Sequence, residues 1–224
     1  MKKTYIIHIE TQPLTLTELL AKAPEFKAAS NLKDPAKIAE DIEKKKNKYI
    51  SEAQFNDNTC EVCAVGLTNL ETGTQRIVGL YGGDALVEDE HDIFEWLHDN
   101  LKSNEDPNDP WADTITFRGE KFIYPLLARK GARYGFSFFS AFYSPAATGR
   151  LKDSNHFDIA KRWACGSLSH PENLQEVARM LSIHHVISNV PYYKLAQENS
   201  DEAEAYFLNT LDALEEIYNT IKSV

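Results

Sequence analysis

The chain has 224 residues, 42% hydrophobic and 11% aromatic. That is enough to bury a sizeable core and too apolar for a disordered segment. Its formal net charge of −10 argues against a surface that attracts phosphate everywhere, though clustered carboxylates and a local grip on nucleic acid are compatible with it. Apolar runs stay short of the roughly 18 residues that suggest a membrane span. The Met1-Lys2-Lys3 start leads directly into a strand pattern without a signal-peptide core. Three cysteines fit a reducing, cytoplasmic setting better than a disulfide framework.

The first predicted element is a central strand over Tyr5-Ile6-Ile7-His8-Ile9-Glu10-Thr11-Gln12, stopped by Pro13. Side chains alternate along a strand, so His8 and Glu10 share one face and Ile7 and Ile9 the other. An acid on the inner face of a core strand needs a partner or a function. Residues 14–48 are charged and helical in pattern, with Asp34 as N-cap and Pro35 at the first helical position. The stripe Ile38, Ile42, Tyr49 is sparse, as expected for a solvated helix over a sheet edge. Thr59 to Asn69 and Arg76 to Tyr81 form a predicted hairpin around Glu71-Thr72-Gly73. Asp89 to Lys102 has helical spacing through Ile93, Phe94, Trp96, Leu97 and Leu101.

An acidic loop, Ser103 to Asp113, precedes a short strand over Thr114 to Phe117. Arg118-Gly119 breaks that strand, and a helix follows from Phe122 to Lys130 with Leu126 and Leu127 inside. Phe136 to Gly149 is aromatic and rich in turns, without an assignable element. Phe157 to Ala160 reads as a short strand, and Asn173 to Leu181 as an amphipathic helix. The longest helix runs from Asp201 to Ile221, with Ala205, Phe207 or Leu208, Leu211, Leu214, Ile217 and Ile221 inward. Strands first and helices afterwards give one α/β domain, a mixed sheet flanked by helices on both faces.

Local motifs carry little chemistry. Cys60 and Cys63 are three apart on a strand and therefore diverge, and only Cys165 remains as a further soft ligand. His184 and His185 are adjacent and do not converge on one ion. No phosphate-cradling glycine loop and no nucleophile elbow is present.

The spread of motifs over the whole length carries more. Ile6-Ile7-His8-Ile9-Glu10-Thr11, Thr116-Phe117-Arg118-Gly119-Glu120-Lys121-Phe122-Ile123-Tyr124-Pro125, the Phe157-Asp158-Ile159 segment with Ser167-Leu168, and Tyr206-Phe207-Leu208-Asn209-Thr210 occur in that order. Together they resemble the motifs of the DEDD 3′–5′ exonucleases, in the DEDDy branch related to the proofreading domain of family-B DNA polymerases. The resemblance implies a single ribonuclease H-like domain over 1–224, with a helical insertion at about 14–55 similar to that of phage and bacterial relatives. It also implies a two-metal site, since two divalent ions activating water on a phosphodiester need several carboxylate oxygens. In that family a tyrosine orients the attacking water.

At the matching positions one acid of four is present: Glu10 stays, while His8, Ile123 and Thr210 replace the others and Tyr206 is kept. Asp212 sits about 200° round the helix from Thr210. Arg118 stands where an asparagine is usual, and an Arg118–Glu10 ion pair is expected to satisfy the acid.

The leading expectation is thus a degenerate exonuclease, a pseudoenzyme that binds nucleic acid (a single strand or its 3′ end) or a protein partner, without a cofactor. Glu10 and Tyr206 are its remnant catalytic positions. Thr11, Arg118 and Lys121 are its nucleic-acid-binding candidates, with Arg129, Lys130, Arg133, Lys161 and Arg162 as further basic groups. A second expectation is an active exonuclease with a rebuilt site, holding Mg²⁺ or Mn²⁺ on His8, Glu10 and Asp158. A third is an interaction or inhibitory protein whose Glu88–Asp92 and Glu105–Asp113 stretches mimic phosphate.

Overall fold

The fold is built on a six-stranded sheet of order β4-β3-β2-β1-β5-β6. The strands are β1 (Thr4–Pro13), β2 (Cys60–Asn69), β3 (Thr74–Gly79), β4 (Ala85–Leu86), β5 (Asp113–Thr116) and β6 (His156–Asp158). The computed structural model describes residues 2–102, 110–143, 155–165, 173–185, 187, 188 and 190–223. The expected features at 103–109, 144–149 and Ser167-Leu168 lie outside them. The sheet is mixed: β1–β5, β5–β6 and β3–β4 pair parallel, and β2–β3 antiparallel. The hairpin turn closes at Gly73, whose φ of 69° suits a residue without Cβ.

The helices are α1 (Leu16–Lys22), α2 (Pro35–Ser51), α3 (Glu90–Leu101), α4 (Tyr124–Tyr134), α5 (Phe138–Phe142), α6 (Ile159–Trp163), α7 (Leu174–Met180), α8 (Tyr192–Glu198) and α9 (Ser200–Ile221). Capping follows the sequence signals. Asp34 accepts from Ala36 N ahead of α2, Asp89 from Asp92 N ahead of α3, and Asn199 from Asp201 N and Glu202 N ahead of α9. Phe117 lies past the end of β5, because Arg118 takes a left-handed φ of 58° and a π-helical turn, Gly119–Ile123, begins there.

The chain divides into two compact units. One comprises Met1–Glu10 and Val62–Val224; the other is Thr11–Glu61. In the smaller unit α2 buries no residue, as its sparse apolar stripe predicts. Leu14 N donates to Thr59 O at 3.0 Å, and a short 3₁₀ turn, Ala53–Phe55, follows α2.

In the larger unit the core forms where α9 lies on the sheet. Phe207, Leu211, Leu214 and Ile217 cluster with Ile6, Cys63, Ala64, Ile77 and Ile115. Each buried Ile, Leu or Phe among them contributes roughly 1.5–3 kcal/mol. On β3, Gln75 and Ile77 face α9: the Gln75 amide donates to Asp212 Oδ1 at 2.6 Å. Between them Arg76 faces the other way, its guanidinium 5.2 Å from the Trp96 ring of α3. Helices therefore cover both faces. Gly66 permits the close approach of α9 to β2, since an added methyl would overlap the Phe207 ring. Ala205, expected inside α9, is exposed, and Ala203, half a turn earlier, takes the inward position.

Candidate functional site

The site forms where the inner face of β1 meets the first turns of α9. The period-2 alternation that puts Ile6 into the α9 cluster also aims His8 and Glu10 at that helix. Tyr206 on α9 donates its hydroxyl proton to Glu10 Oε1 at 2.7 Å, and His8 Nε2 lies 2.9 Å from the same oxygen. A carboxylate only accepts, so the His8 tautomer with its proton on Nε2 completes the bond. The His8 ring packs edge-on against Phe207 with centroids 5.0 Å apart, and Tyr192 of α8 packs edge-on to the same ring at 5.3 Å. The side chains of His8 and Glu10 keep 18% and 16% of their surface exposed.

Electrostatics fix the protons here. Burial first, and the neighbouring Glu10 charge second, hold the Tyr206 hydroxyl far above its ordinary value. Tyr206 is therefore a permanent donor in neutral solution. Burial pushes the Tyr192 hydroxyl up to about 12, with the charges of Cys63 and Glu10 adding to it.

The remaining predicted residues fall elsewhere. Asp158 is buried, and its carboxylate takes the backbone N–H groups of Arg118 (3.0 Å), Glu120 (3.0 Å), Ala160 (3.0 Å) and Lys161 (3.3 Å). It caps α6 and pins the left-handed turn at Arg118. Glu120 pairs with Lys161 at 2.6 Å and His156 at 3.3 Å. Burial pushes the Glu120 carboxyl up, but those two partners outweigh it and leave it below its ordinary value. Ile123 is buried, and Thr210 donates to Tyr206 O of its own helix at 2.9 Å. The Arg118–Glu10 pair is not what satisfies Glu10; His8, two residues along the same strand face, takes that role. Arg118 is half-buried and Lys121 exposed. In the smaller unit, Thr11 donates its hydroxyl proton to Gln54 O at 2.6 Å.

The basic set needs one correction. Lys130 is buried, with Nζ 2.8 Å from Glu90 Oε1 and 3.0 Å from Oε2, so it is unavailable to phosphate. The same contact corrects the reading of Glu88–Asp92 as an exposed acidic stretch, because Glu90 points into the core. Residues 105–109 of the other acidic stretch are outside the described residues. Nothing in the sequence pattern announced Tyr192, whose short helix α8 follows Pro191 without apolar periodicity.

The two-metal arrangement does not fit these residues. Glu10 Oε1 is occupied by two protein donors, and Asp158 is saturated by four backbone N–H groups. Positions 123 and 210 offer no carboxylate. Among the described residues, His8, Glu10 and Asp158 do not bring ligand atoms together; the cluster that does is Asp89, His91 and Asp92, within 4.8 Å, at the start of α3.

No family model matches the sequence, and no curated protein aligns with it. Solved structures do match its fold. The family B DNA polymerase from the hyperthermophilic archaeon Pyrobaculum calidifontis superposes with a TM-score of 0.54 at 11% identity, over 98% of this chain and 24% of the polymerase. A product-bound structure of exonuclease I superposes with a TM-score of 0.50 at 10% identity, over 100% of this chain and 44% of the exonuclease. The chain thus spans a quarter of one neighbour and less than half of the other. The fold these likenesses define is a ribonuclease H-like α/β fold, a mixed sheet with helices on both faces. Among the described residues, no helix is long and apolar enough to cross a membrane.

Proposed function

We propose that this protein is a degenerate 3′–5′ exonuclease that binds nucleic acid without two-metal catalysis. The supporting observation is the state of Glu10: the one acid at the four matching positions is satisfied by His8 and Tyr206, side chains of its own fold. The replacements also suit packing. Ile123 is buried, and Thr210 closes its own helix turn. The fold supplies the likeness to nucleic-acid enzymes, and the exposed Lys121, Arg129, Arg133, Lys161 and Arg162 supply local positive charge on an acidic protein. The expected ligand is a single strand, and the expected setting is cytoplasmic.

The test is hydrolysis of labelled single-stranded DNA and RNA with Mg²⁺ or Mn²⁺, alongside binding measured by fluorescence anisotropy. The expected outcome is binding in the range of about 10⁻⁴–10⁻⁶ M, weakening with salt, with no product formed. Robust turnover that Glu10→Gln abolishes overturns the reading in favour of a rebuilt metal site. Absence of binding to either strand overturns it in favour of a protein partner.

A further inference from the structure

We infer that the C-terminal end of α2 carries a guanine pocket, through which a bound single strand is read for sequence. The inference rests on the nucleic-acid reading above and adds which base is recognised and by which side chains. Every residue it uses belongs to the smaller unit.

Tyr49, Glu52, Ala53, Phe55, Asn56 and Thr59 line a cavity of about 340 Å³. Small-ligand pockets occupy roughly 300–1,000 Å³. The backbone around it is pinned. Thr59 Oγ1 donates to Ala53 O at 2.9 Å, and Thr11 Oγ1 to Gln54 O at 2.6 Å. Phe55 N donates to Glu52 O at 3.0 Å, and Thr59 N and Cys60 N each to Asn56 O at 2.9 Å. On this fixed turn Phe55 is 63% exposed, a flat apolar ring on which a base can stack.

The polar neighbours decide which base. Asn56 Oδ1 accepts from Asn58 N at 2.9 Å, so the amide oxygen is committed and its NH₂ group remains as a donor. Glu52 is met by Lys48 Nζ at 3.8 Å, an exposed pair that holds the carboxylate only weakly. That carboxylate accepts two N–H groups at once. An aromatic face, an amide donor and a bidentate acceptor match the Watson–Crick edge of guanine, where O6 accepts and N1–H and N2–H donate side by side. Adenine and cytosine bring one amino group beside an acceptor, and thymine one N–H between two carbonyls. Each leaves a carboxylate oxygen without a donor, which is the basis of discrimination.

Charge supports the same placement. Lys44, Lys48 and Glu52 are spaced four apart and share one face of the helix end, so two exposed ammonium groups lead away from Glu52 for the phosphates of the strand. The smaller unit holds eight lysines against nine acids, which leaves nearly all of the net charge of −10 to the larger unit.

The experiment uses the full chain and 5′-labelled oligothymidylate, alongside the same strand with one central guanine, hypoxanthine or adenine, read by fluorescence anisotropy. The guanine strand is expected to bind about fivefold or more tighter than the thymine and adenine strands. Hypoxanthine lacks the N2 amino group and is expected to fall between. Glu52→Gln is expected to bring the guanine strand to within about twofold of oligothymidylate. Phe55→Ala is expected to weaken the guanine strand about fivefold or more. Both side chains are exposed, and melting curves report that the variants keep the fold; should one unfold, the wild-type comparison of the four strands still decides. Equal affinity of the wild type for all four strands overturns the inference and leaves the nucleic-acid reading in place. So does a guanine preference that survives Glu52→Gln. Loss of all binding by the wild type removes both.

Discussion

Glu90 and Glu10 both lie in the larger unit with little of their side chains exposed, and their surroundings differ in kind. Glu90, at the start of α3, keeps 7% of its side chain exposed and holds a cation: Lys130 lies at 2.8 and 3.0 Å. Its oxygens also accept from Tyr134 at 2.6 Å and from Val62 N at 2.6 Å. Glu10 keeps 16% exposed and has a histidine and a tyrosine on one oxygen, with the other open. The first is a closed ion-pair network that ties α3, α4 and β2 together. The second is half of such a network, with donors on one oxygen alone. Burial alone does not distinguish a structural acid from a functional one; the count of committed lone pairs does.

Breaking the closed network gives the largest effect. Lys130→Ala leaves the Glu90 charge buried without its cation, and the expected loss of stability is about 3–5 kcal/mol. Urea unfolding monitored by circular dichroism measures it. A loss below about 1 kcal/mol, as for a surface pair, shows that water reaches Glu90 and removes the contrast with Glu10.

Tyr206→Phe tests the open site and comes next. It deletes one hydrogen bond to a charged acceptor, with an expected cost of about 1–3 kcal/mol in the same measurement. It also alters the alkaline limb of stability. Tyr206 and Tyr192 hold their protons in the folded chain above the ordinary value of 10.0, Tyr192 up to about 12. Above pH 10 the unfolded chain sheds those protons first and so binds fewer than the folded chain. Stability is then full below pH 10 and falls as pH rises toward 12. The phenylalanine variant is expected to show a shallower fall, read from melting temperatures across pH 9 to about 12.

Much of this contrast was legible in the sequence, and the parts that were not have physical reasons. The strand period alone put His8 and Glu10 on one face. Asp34 and Pro35 located the start of α2, and helical spacing located α3 and α7. Glu90 was hidden because a glutamate in a first helical turn looks like ordinary dipole pairing, and its partner is forty positions away. The Arg118–Glu10 pair was expected from charge, but backbone geometry decides otherwise. Asp158 holds the Arg118 turn by its N–H groups, while His8 is already adjacent to Glu10 through the strand itself. The inward alanine of α9 was misplaced because alanine carries little hydrophobic signal for the helix phase.

The smallest expected effect is the one that bears most directly on Glu10. Glu10→Gln keeps the side-chain shape and removes the charge, and among the described residues the partners of Glu10 are His8 and Tyr206, so no lysine or arginine is left uncompensated by that change. The expected change in stability is within about 1 kcal/mol of zero, far from the Lys130 result. The informative signal is in Tyr206. Its proton is held partly by the Glu10 charge, so removing that charge lowers the pH at which its phenolate appears, although burial still keeps it above the ordinary value. Ultraviolet titration of Glu10→Gln against wild type measures the shift. A drop in stability of several kcal/mol instead would place Glu10 beside Glu90 as a structural acid and remove the contrast between them.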